Sequence, residues 1–138
     1  MDKDINPGYK ERPHTADLSL DVWAQDVPTL FTEAAKGMYA LMGGRIATSP
    51  REIRHLVLSD PDKESLLVSF LSELIYLNEI EQLGFSQFEI SIENQTLEGI
   101  LVGGYWSDQV KSIKAVTYHN LVITNNNGIF EVTIVFDV

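Results

Sequence analysis

The sequence predicts an α+β fold, a single compact domain of mostly antiparallel β-strands packed with two amphipathic helices. Three observations predict it. The chain has 138 residues and is 44% hydrophobic, which suits one core of ordinary domain size. Two segments repeat apolar residues at helical spacing. The remainder alternates with period two, most continuously after Gly84, as half-buried strands do. Strands pairing around two such helices form the α+β class.

Each element has a local reason. Residues 1–8 read as a mobile leader, with Asn6-Pro7-Gly8 as the break, and residues 9–138 as the domain proper. Over residues 16–24, Ala16, Leu18, Leu20, Val22 and Ala24 share one face, while Asp17, Ser19, Asp21 and Trp23 share the other. That is a first strand. Asp26 is placed to cap a helix, with Pro28 in its first turn, where a missing N–H costs little. Leu30, Phe31, Ala34, Ala35, Met38, Leu41 and Met42 form its apolar stripe, and Gly43-Gly44 ends it.

Residues 53–58 alternate again. Asp60 is then expected to cap a second helix, with Pro61 at its first position and Gly84 closing it. Its inner face is Leu66, Leu67, Phe70, Leu71, Leu74, Ile75 and Leu77. Residues 85–93 and 97–106 read as strands, with Gly99 and Gly103-Gly104 marking bulges or bends. Residues 115–124 and 129–138 read as a closing pair. Asn125-Asn126-Asn127-Gly128 joins them, because Asn and Gly tolerate the positive φ of a tight turn.

Composition excludes several chemistries. With no cysteine there is neither a disulfide framework nor a thiolate metal site. His14, His55 and His119 are too scattered for a local zinc motif. No run approaches the roughly 20 apolar residues that span a bilayer. The charged Met1-Asp2-Lys3-Asp4 start does not resemble a signal peptide, so a cytoplasmic location is expected. Neither a GxxxxGK[ST] phosphate loop nor a Gly-x-Ser-x-Gly elbow is present. The net charge of −10 disfavours tight direct contact with nucleic acid. It suits cations or a basic protein surface, or it serves solubility alone.

Three groups of residues remain for chemistry. The alternation runs to the last residue, so Asp137 and the main-chain carboxylate of Val138 are expected on an ordered element, one residue apart. If the start of the first strand meets that end, Asp17 adds a third carboxylate, which outlines a hard-cation site. His14 beside it reads either as a backbone-bonded histidine or as a supporting group. The segment Ile113-Lys114-Ala115-Val116-Thr117-Tyr118-His119 crowds a lysine, a tyrosine and a histidine into one strand. Strict alternation would put Lys114, Val116 and Tyr118 on one face and Ala115, Thr117 and His119 on the other. Lys114 is then either merely solvated or a cation offered to a phosphate or an acidic group.

These segments together resemble a known family. His14-Thr15-Ala16-Asp17, the strand behind it and Leu30-Phe31-Thr32-Glu33-Ala34-Ala35 are similar to the opening of archease. Residues 66–76 look like its second helix. Residues 113–119 and Val135-Phe136-Asp137-Val138 are similar to its two closing signatures. The resemblance runs in order from Tyr9 to Val138. Pro13 departs from it, standing where the family often has Glu.

The resemblance implies a protein cofactor, not an enzyme. Archease activates the RtcB-type RNA ligase, which joins a 2′,3′-cyclic phosphate or 3′-phosphate end to a 5′-hydroxyl in tRNA splicing and RNA repair. It promotes guanylylation of the ligase and so its multiple turnover. RNA would be met only through the ligase, and no membrane is involved. The family binds a divalent ion, usually calcium, with magnesium or manganese left open. The matching motifs imply Asp17, Asp137 and Val138 as its ligands. They imply Lys114, with Asp17 and Asp137, in ligase activation, and leave His14 and His119 as possible supporting groups. The rival expectation is a stand-alone metal-dependent phosphate-ester hydrolase, with His14 or His119 as base.

Overall fold

A computed structural model describes residues 5–12 and 18–138. Its strands are β1 (Gly8–Arg12), β2 (Leu18–Ala24), β3 (Arg45–Ile46), β4 (Glu52–Ser59), β5 (Leu83–Glu93), β6 (Thr96–Ser107), β7 (Ala115–Val116), β8 (Thr124–Asn126) and β9 (Ile129–Asp137). Helix α1 spans Val27–Met42 and α2 spans Lys63–Glu81. The strands form two antiparallel sheets. One runs β1-β2-β9, with β7 and β8 both paired to β9. The other is built on β6, which pairs with β3, β4 and β5.

Helix α1 packs on β2 of the first sheet and β5 of the second, so the helices are held between the two sheets. Both sheets contribute inward residues to one core: Leu20, Val22, Ile134 and Phe136 from the first, Phe85, Leu97 and Leu101 from the second. Phe31 of α1 and Phe70 of α2 meet within it, their ring centroids 5.7 Å apart. No helix among the described residues is long and apolar enough to cross a membrane.

Helix α1 begins and ends where its capping residues direct. The Asp26 side chain accepts from the Thr29 N–H at 2.7 Å. Gly43 turns left-handed at φ 73° and returns its N–H to the Tyr39 carbonyl. Helix α2 differs from expectation at both ends. Its cap is Asp62, not Asp60: the Asp62 carboxylate accepts from the Ser65 N–H at 2.7 Å, which holds its pKa below the ordinary value. Asp60 instead gives its own N–H to the Gln95 carbonyl in the β5–β6 turn, leaving Pro61 outside the helix. The closing residue is Gln82, left-handed at φ 57°. Gly84 lies in β5 opposite Gly104 because the Trp106 ring packs against it: a Cβ there would sit 2.5 Å from Trp106 Cε3.

Three further differences concern strands. β1 forms where the sequence shows no alternation, because β2 supplies the pairing: Tyr9 opposite Val22, Glu11 opposite Leu20. The bulge falls on β5, between Phe85 and Gln87, facing the glycines of β6; Gly99 itself keeps regular register. The expected strand over residues 115–124 is two short ones, β7 and β8, separated by a loop. The expected final hairpin is present. Asn127 and Gly128 both have positive φ, 54° and 88°, as a two-residue turn between right-twisted strands requires.

Candidate functional site at the β7–β9 margin

The site grows from the end of β9. Phe136 lies opposite Leu18 of β2 on one side and opposite Val116 of β7 on the other. The inward positions of β9 are Val132, Ile134 and Phe136, all buried. The period of two therefore turns Glu131, Thr133, Val135 and Asp137 to the opposite face, where Val135 is also buried. Asp137 is exposed, and Val138 is 43% exposed.

Lys114 reaches this end through the backbone. Its N–H donates to the Asp137 carbonyl at 2.8 Å, and Ala115 then pairs with Asp137. The structure thus brings together two segments 23 residues apart in sequence, one bearing an ammonium and one a carboxylate. Neither side chain has an ion-pair partner among the described residues.

The alternation expected across residues 114–119 does not hold. Val116 is buried while Lys114 and Tyr118 are exposed, and Ile113 is the other buried member. The cause is local. Thr117 spends both its N–H and its hydroxyl on one acceptor, the Val135 carbonyl, each at 3.0 Å. Its hydroxyl oxygen also accepts from the His119 N–H at 3.2 Å. The chain then turns, with Asn120 at φ 52° and the Leu121 N–H returned to the Tyr118 carbonyl. His119 is carried onto this turn, where its Nε2 lies 3.3 Å from the Asn120 side-chain amide. It is not drawn to Asp137 by any hydrogen bond among the described residues.

His14 and Asp17 lie outside the described residues. Among the described residues no group of three His, Asp or Glu side chains converges as a metal site would need. The described donors at this end are the Asp137 carboxylate and the oxygens of Val138. All are hard oxygen donors, without an ion-pair partner among the described residues, and they fit a hard cation better than a soft one.

Sequence reasoning missed a second polar group on the same face. Asp21 of β2 accepts from the Thr133 hydroxyl at 2.6 Å and from Arg12 Nε at 3.3 Å. These residues floor a groove of about 370 Å³, walled by Lys10 on one side and by Asn120 and Val122 on the other. The alternation of β2 already turned Asp21 outward. Nothing in the sequence disclosed β1, which brings Lys10 and Arg12.

Comparison with known proteins gives a consistent result. A model of the Archease protein family (MTH1598/TM1083) matches residues 9–138. The chain is 32% identical to the protein archease of Methanosarcina mazei, over 94% of this chain and 95% of that one. It is 33% identical to that of Methanopyrus kandleri, over 87% and 91%. Among solved structures, the solution structure of Methanobacterium thermoautotrophicum protein 1598 superposes with a TM-score of 0.74 at 25% identity, covering 95% of this chain and 99% of that one. The crystal structure of an archease from Thermotoga maritima, described as a possible chaperone, matches in fold with a TM-score of 0.70 at 21% identity, covering 94% and 96%.

Proposed function

The chain belongs to the archease protein family, and from that premise we propose that it acts as a non-enzymatic activator of an RtcB-type RNA ligase in the cytoplasm. It would promote guanylylation of the ligase and hence repeated turnover in tRNA splicing and RNA repair. One observation supports this reading above the others. Lys114 and Asp137, from the two closing signatures of the family resemblance, share one exposed margin through the Lys114 N–H to Asp137 carbonyl bond. An ammonium and a carboxylate without ion-pair partners among the described residues, carried on paired backbone, can engage a partner.

The chemistry required of an activator is modest. A partner shifts a conformational equilibrium only by binding one state better than the other. Lys114 offers a compact charge to a phosphate or a carboxylate of that favoured state. The net charge of −10 favours a basic protein surface over naked RNA. The description of the Thermotoga protein as a possible chaperone agrees with action on another protein. Asp17, Asp137 and Val138 would hold a divalent cation, calcium in the first instance. Asp17 precedes Leu18 by one peptide bond, and Leu18 lies opposite Phe136, the neighbour of Asp137. The ion would supply positive charge at this margin.

The test is multiple-turnover ligation by a ligase from the same organism. Addition of this protein is expected to convert a single round into repeated turnover. Lys114→Ala is expected to fold normally and to lose most of that stimulation. Full stimulation by the folded variant would remove Lys114 from the role, and no stimulation by the wild type would remove the activator function.

A further inference from the structure

We infer that the β7–β8 loop is a rigid docking arm whose exposed Tyr118 packs into an apolar recess on the partner protein that Lys114 acts upon. The inference rests on the ligase-activator reading and adds the surface by which that partner is held.

Residues 117–123 lie outside regular secondary structure, yet they are fastened on every side. Thr117 is held twice by the Val135 carbonyl and itself holds the His119 N–H. The Tyr118 carbonyl takes the Leu121 N–H. Leu121 and Ile123 are buried in the core. The Glu64 carboxylate, in the first turn of α2, accepts the Ile123 N–H at 2.9 Å. Five hydrogen bonds and two buried aliphatics thus fix the backbone of seven residues, and none of the five uses the side chain of Tyr118 or Val122.

What the loop presents is the reverse of what a solvent-facing loop needs. Tyr118 is 59% exposed and Val122 58% exposed. A tyrosine whose backbone is already held has only its own two side-chain torsions to order on binding, and its ring brings a large contact area. These are the properties of interface hot spots. The loop is also continuous with the proposed site: Lys114, Ala115 and Val116 run directly into it along β9. A partner surface that meets Lys114 is therefore adjacent to Tyr118. The occupant is that partner, offering an apolar recess bordered by basic groups suited to an acidic chain. A second copy of this chain is disfavoured, because each copy brings ten net negative charges.

The experiment is titration of Tyr118→Ala, Tyr118→Phe and wild-type protein into the ligase assay, reading the half-stimulating concentration apart from the plateau. Direct binding to the ligase is measured in parallel by calorimetry. Tyr118→Ala is expected to keep the wild-type melting temperature, because the ring is exposed. It is expected to raise the half-stimulating concentration and the Kd on the order of 10- to 100-fold, with the plateau reached at saturation. Tyr118→Phe is expected to restore most of the loss, because the ring and not the hydroxyl fills the recess. An unchanged Kd for Tyr118→Ala beside a stimulating wild type overturns the docking arm and leaves the activator reading standing. A changed KM for the nucleotide with unchanged Kd for the ligase would assign the ring to a base and overturn it equally. A wild type that neither binds nor stimulates overturns both.

Discussion

In the second sheet, β6 pairs with β4 over eight positions and with β5 over ten, whereas in the first sheet the far side of β9 is met only by a two-residue and a three-residue strand. The long ladder satisfies its backbone by itself and closes on packed glycines. A Cβ at Gly103 would fall onto the Gly84 carbonyl oxygen and within 2.7 Å of Phe85 Cα. The β7–β8 margin uses side chains where the ladder uses backbone: Thr117 and Glu64 take up the polar groups that no strand pairs. The difference separates two tasks. The regular sheet supplies stability through close approach, and the ragged margin fixes the backbone from which exposed side chains project.

Breaking the ladder is expected to have the largest effect. Gly103→Ala must displace the β5 backbone at its bulge, because no flexible side chain can yield there. It should lose about 3 kcal/mol or more of stability, read as a lowered urea midpoint at an unchanged slope. A loss below about 1 kcal/mol would show that the bulge absorbs the methyl group.

The next effect lies at the margin and depends on metal. Calcium at about 100 times its Kd should stabilise the folded protein by about 2.7 kcal/mol, seen as a rise in melting temperature. Asp137→Asn should lose most of that rise, while in chelator it should match the wild type to within about 0.5 kcal/mol. An undiminished rise would take Asp137 out of the ligand set.

Smaller still is the effect of loosening the loop. Glu64→Ala leaves the Ile123 N–H without its acceptor, at about 1–2 kcal/mol. Glu64→Gln keeps an acceptor and should recover most of it. Hydrogen exchange sharpens the comparison: amides of residues 117–123 should lose protection in Glu64→Ala, while those of β4, β5 and β6 should not.

Much of the fold was legible in the residues themselves. The α1 stripe with Asp26 and Gly43, the alternation of β2, β4, β5, β6 and β9, and the Asn127-Gly128 turn are local signals, because periodicity and capping act within one element. At the site, the same logic turned Asp21 and Asp137 outward. The motifs also sufficed for the family, which the comparisons then bore out over residues 9–138. Tertiary structure decided the rest. It chose Asp62 over Asp60, because the backbone tie of Asp60 to Gln95 keeps it in the loop and the helix starts after Asp62, whose carboxylate takes the Ser65 N–H. It made a strand of Gly8–Arg12 by lending it the edge of β2. It split residues 115–124 into two strands and a loop, because Thr117 found the Val135 carbonyl eighteen positions away. Hydrogen bonds between distant segments have no period to read, so the placing of Lys114 against Asp137 and the outward turn of Tyr118 belong to the folded chain.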